Sequence, residues 1–130
     1  MAAAGYTEAM TFPLSKFMTT ATATYGVYAL AVPRHLGTAV DPKHAADYDL
    51  LARTYGARDL AISGVGLLSR SPKAITAAMA IRIVCDVSDG LLLSGRAADE
   101  QTRQKVLGVT LGWAALNTLA LVTDRRRARR

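Results

Sequence analysis

Residues 74–93, AITAAMAIRIVCDVSDGLLL, read as a helix with three charges, Arg82, Asp86 and Asp89, set into an otherwise apolar run. Spacings of i, i+4 and i+7 bring the three within an arc of roughly 60° on a helix of 3.6 residues per turn. Cys85 falls on the same side, and the rest of the surface is Ala, Ile, Val, Met and Leu. A helix at the surface of a water-soluble protein carries a broad polar face. A narrow charged seam in an apolar cylinder suits a helix that has apolar matter around it and aims its charges at neighbouring helices.

The last apolar run states the same constraint without any charge. Residues 106–123, VLGVTLGWAALNTLALVT, are long enough to cross a bilayer and apolar on every face. Two further stretches complete a set of four helices. Residues 14–32, LSKFMTTATATYGVYALAV, hold one Lys near their start, and residues 47–69 carry Arg53, Arg58 and Asp59 with Gly56, Gly64 and Gly66. Between the helices lie a Pro- and Gly-containing loop (33–46), the turn Arg70-Ser71-Pro72-Lys73 and a charged connection (96–105). In the turn, Ser71 is placed to cap the following helix and Pro72 to occupy its first position. Residues 1–12 form a weakly patterned arm, flexible or interfacial. A signal-peptide reading, with Lys16 before the apolar run and Ala29-Leu30-Ala31 as cleavage site, is disfavoured because the run is rich in Thr.

The expected fold is thus all-α: one domain over residues 1–130, a four-helix transmembrane bundle with both termini on the cytoplasmic side of a bacterial inner membrane. Lys16, Arg70, Lys73 and the five tail arginines fall on that side; Arg34, Lys43, Arg96, Arg103 and Lys105 fall on the other. Composition agrees, with 51% apolar residues, 6% aromatic and a single Trp. Small residues of this kind let helix backbones approach closely in lipid. Gly108-x-x-x-Gly112 offers a flat ridge for pairing with a second copy.

The formal net charge of +6 is not a nucleic-acid signature. Five of the cations are Arg125, Arg126, Arg127, Arg129 and Arg130, which leave +1 for the rest of the chain. A basic tail of this kind contacts anionic membrane lipid. One cysteine excludes an internal disulfide, and His35 and His44, nine apart in the loop, lack the spacing of metal ligands. No cofactor is expected.

An Arg or Asp at a membrane-helix centre costs about 2.5–3.5 kcal/mol on insertion scales, so these charges need partners. Arg53, Arg58 and Arg82 against Asp59, Asp86 and Asp89 make a neutral set of three and three. Carboxylates held away from water can act as acid and base. Asp86 and Asp89, with Asp59, are the candidate catalytic groups; Arg58 and Arg82 would orient a lipophilic substrate. Tyr55, three before Arg58, and Cys85 would touch it. With no histidine in a helix to activate it, Cys85 reads as a small apolar side chain rather than a nucleophile. The alternative is a set of interhelical ion pairs that only fix register, in a non-catalytic binding, subunit or carrier module.

The run Tyr55-Gly56-Ala57-Arg58-Asp59-Leu60-Ala61, followed a helix later by Arg82, Asp86 and Asp89, resembles a family of small four-helix integral membrane proteins of bacteria and fungi catalogued as a domain of unknown function. The similarity spans residues 25–121 and centres on the G-x-R-D-L motif. The sequence departs from the pattern where the family carries a His at the start of its last helix; Gln104-Lys105 stands there instead. The resemblance implies the four-helix membrane topology. Because some members accompany specialised metabolism, it also points towards an enzyme but implies no reaction; isomerase or cyclase chemistry is what the paired carboxylates suggest.

Overall fold

The computed structural model describes residues 12–130, which form five α-helices and one 3₁₀ segment, with no strand among the described residues. They are α1 (Pro13–Ala31), α2 (Arg34–Val40), the 3₁₀ segment (Pro42–Tyr48), α3 (Asp49–Leu68), α4 (Pro72–Ser94) and α5 (Glu100–Ala128). The long helices form a ring, α1 on α3, α3 on α4, α4 on α5 and α5 back on α1. Their connections make neighbours antiparallel. Of the arm expected over residues 1–12, only Phe12 lies among the described residues, and it is buried.

The helix ends follow from local chemistry. The Ser71 side chain accepts a hydrogen bond from the Ala74 amide with Pro72 at the first helical position, as its residue types predict. Asp99 caps α5 by accepting from the Thr102 amide at 2.7 Å. Two ends are closed by distant side chains. Asp124, near the end of α5, accepts from the Ser15 amide at 2.6 Å and the Leu14 amide at 3.3 Å, and so caps the start of α1. Lys16 Nζ donates to the carbonyls of Gly66, Leu67 and Ser69 at 2.8–2.9 Å, closing α3 where its last carbonyls lack helical partners.

Two expectations about the connections are corrected. The segment read as a loop over 33–46 holds α2 and most of the 3₁₀ segment, so five helices form rather than four, and His35 lies in a helix. Pro33 and Pro42 stand at the starts of these pieces, where a missing N–H costs nothing. The last helix also begins at Glu100 rather than 106 and runs through the tail to Ala128, with exposed Arg103 and Glu100 one turn apart. α2 covers one end of the ring. Gly37 packs so closely on the 3₁₀ segment that a Cβ there would meet the Ala45 carbonyl oxygen at 2.0 Å.

Packing divides the interior into three layers. One apolar cluster, Phe12, Met18, Ile75, Met79 and Ala120, fills the end where α1 starts. Another, Leu36, Val40, Ala52, Tyr55 and Leu93, fills the end under α2. Between them lie buried polar residues: Thr22, Asp59, Ser63, Arg82, Asp86 and Asn117. The outer surface is the reverse, with Val84, Leu91 and Leu119 each at least 64% exposed. Among the described residues one helix, α5, is long and apolar enough to cross a membrane. Only 17% of its apolar stretch is buried within the chain, so its apolar faces are not spent on the core.

Candidate functional site

The ionic network of the middle layer is built from three helices. On α3, Tyr55 and Asp59 are one turn apart on the inward face and Arg58 lies between them; its guanidinium sits 4.6 Å from the centre of the Tyr55 ring. On α4, Arg82, Asp86 and Asp89 line up as their spacing predicts. Asn117 enters from α5.

The groups form one connected chain of ion pairs. Arg58 donates from two nitrogens to Asp89, at 2.9 and 2.6 Å, and to Asp59 Oδ1 at 3.0 and 3.1 Å. Arg82 bridges Asp59 Oδ1 and Asp86 Oδ1, and Asn117 donates to Asp86 Oδ2 at 3.0 Å. Paired geometry of this kind is what lets buried charges persist. Both oxygens of Asp86 and both of Asp89 are thereby engaged. Asp59 Oδ2 has no hydrogen-bond partner among the described residues, and neither has the Tyr55 hydroxyl.

Arg53 does not join. It is exposed, so the balanced set of three cations and three anions is corrected to two guanidiniums facing three carboxylates.

A cavity of about 110 Å³ adjoins the network, with Asp59, Arg82, Asp86, Asp89 and Tyr55 in its wall. Its other walls are Thr22 and Tyr25 from α1, Leu36 from α2, Leu93 from α4, and Val109, Thr110 and Trp113 from α5. A second space of about 10 Å³, the size of one water, lies by Ser63, Asn117 and Arg82. The Ser63 hydroxyl, Asn117 Oδ1 and Arg82 Nε have no partner within the described protein.

Comparison with protein-family models, with curated proteins and with solved structures finds no match to this chain.

Of the residues singled out in the sequence, Asp59, Asp86, Asp89, Arg58, Arg82 and Tyr55 come together. Cys85 is half-buried on α4 and does not line the cavity. Three participants come from outside that set. Asn117 is the one amide in an uncharged run of eighteen residues, a signal in itself, since an unpaired amide there is costly. Tyr25 and Trp113 are ring walls whose inward direction depends on helix packing. The Tyr25 hydroxyl also meets His35 Nε2 at 2.9 Å, holding α2 over the cavity. Among the described residues no three His, Cys, Asp or Glu side chains converge as metal ligands.

Proposed function

We propose that this chain is an integral membrane bundle, with four long helices crossing and both termini on the cytoplasmic side. Its interior binds a lipophilic small molecule and acts on it by cofactor-independent proton transfer. The observation that carries the reading is the inversion of polarity: ion-paired Asp and Arg in the middle layer, Val and Leu on the outside. In water this arrangement would both desolvate charges and leave apolar faces wet. In lipid the apolar faces are solvated and the charges look inward at each other. Gly108 and Gly112 support pairing of two copies, since open space lies over both.

Within the site the roles shift from Asp86 and Asp89 to Asp59. The first two spend their oxygens on Arg82, Asn117 and Arg58, whereas Asp59 Oδ2 is left free beside the cavity. Asp59 is therefore the group proposed to give and take the proton in chemistry of isomerase or cyclase type. Arg58 and Arg82 hold it in place.

Sequential washing of membranes tests the reading. Release only by detergent, after high salt and alkaline carbonate have failed, is the expected outcome; release by salt would leave only the arginine tail as a membrane contact. Mass spectrometry of small molecules carried through purification, wild type against Asp59→Asn, then tests the pocket. A second reading, that the network only fixes helix register, is favoured by the complete pairing of Asp86 and Asp89. Its signature is Arg82→Gln and Asp86→Asn each unfolding the protein while the double variant folds.

A further inference from the structure

The buried network carries an odd charge. Arg58 and Arg82 bring two guanidiniums, and Asp59, Asp86 and Asp89 bring three carboxylates, all tied into one cluster. No other Lys or Arg among the described residues pairs with these three carboxylates. Lys16 donates to the carbonyls that end α3, Arg125 donates to Thr76 at the surface, and Arg53 is exposed. An unmatched carboxylate in an apolar layer is strongly disfavoured.

The cavity lies against this cluster, and all three carboxylates line it. Asp59 is fully buried, lines the cavity and has an oxygen without a partner among the described residues. Around it stand the rings of Tyr25, Tyr55 and Trp113. Aromatic faces attract cations and repel anions. Val109 lines the same cavity and is 60% exposed, so the cavity wall reaches the apolar exterior beside α5.

We propose that the cavity takes the ammonium head of a lipophilic amine, with Asp59 as counter-ion, aromatic rings as walls, and the alkyl chain leaving past Val109. This rests on the proposed binding role of the site and names the class of molecule it takes. A volume of about 110 Å³, where about 10–15 Å³ of such space holds one water, admits a head group and the first carbons of a chain. The rest of the chain must extend outside. A bound ammonium gives the cluster three cations for three anions. An alcohol of the same length leaves the odd carboxylate unmatched, and a carboxylate adds a second one.

The single tryptophan of the chain, Trp113, lines the cavity and reports occupancy by its fluorescence. The protein in discs of zwitterionic lipid is titrated with dodecylamine, dodecanol and dodecanoate. The expected result is a saturable Trp113 response to dodecylamine at concentrations about tenfold or more below those needed for dodecanol, the margin of one charge-assisted hydrogen bond. Equal responses to amine and alcohol, or a preference for dodecanoate, overturn the proposal. Asp59→Asn, which keeps the shape and removes the charge, should bring amine and alcohol together; an amine preference that survives it also overturns the proposal. If that variant fails to fold, the wild-type ranking of the three probes decides alone. The two readings separate cleanly. A chain that needs detergent but shows no amine preference keeps the membrane bundle and loses the amine, and one that is soluble after carbonate yet prefers the amine does the reverse.

Discussion

Asp124 stands among the arginines of the C-terminal tail and is nevertheless fully buried, its carboxylate accepting the first free amides of α1. Replacing it by Ala leaves the buried Ser15 N–H unpaired, a loss of about 1–3 kcal/mol. Asp124→Ala should therefore lower the midpoint of thermal unfolding clearly, and Asp124→Asn, which retains an acceptor, should lower it less. A tail variant that unfolds unchanged would show the cap to be dispensable. Legibility at this scale depended on whether partners share a helix. Arg82, Asp86 and Asp89 could be placed together from spacing alone. Arg53 was misplaced although its phase was available: five residues from Arg58 is about 140° around the helix, well off the inward face. Asn117, Lys16 and Asp124 find their partners on other helices; the lone amide of an apolar run announces that Asn117 needs a partner, but no local pattern says which.

Helices α1 and α3 cross where Gly26 faces Gly56, and a Cβ on Gly56 would lie 2.7 Å from the Gly26 carbonyl oxygen. The obstacle is backbone, so the helices must separate. Gly56→Ala is expected to cost about 1–3 kcal/mol, the usual range for overpacking, while Gly64→Ala, with open space around it, should not destabilise. Comparing the two variants by thermal unfolding checks this. At the start of α5, the Thr102 amide that Asp99 accepts holds its carboxyl below the usual aspartate value. A folded value below the unfolded one means the cap stabilises above the unfolded value and is lost as pH falls through the folded one. The protection factor of the Thr102 amide, its exchange relative to the intrinsic rate at the same pH, should accordingly fall in acid before that of the buried part of α5. The long helices were readable from apolar runs and from Ser71-Pro72. The pieces around Pro33 and Pro42 were not, because proline breaks a helix only from inside it and here stands at the entrance. Charge misled in the same way at 100–105, where Glu100 and Arg103 make an exposed first turn of a helix that is apolar further on.

The whole molecule is a ring of four long helices with α2 across one end and the arginine tail at the other. In the proposed membrane orientation, a reporter fused after Arg130 reads the cytoplasm and one inserted in the 3₁₀ segment Pro42–Tyr48 reads the opposite side. Both reporters on one side would exclude the four-crossing topology. The ring also sets an order in time. The group that satisfies the first turn of α1 sits more than a hundred residues later in the chain, on the last turns of α5. While the chain is being made, α1 therefore waits with open amides. Its first amides find their acceptor only after α5 has been made and Asp124 lies beside Ser15. Until then α1 is held by its packing on α3, and afterwards the Asp124 contact also ties it to the helix made last among those described.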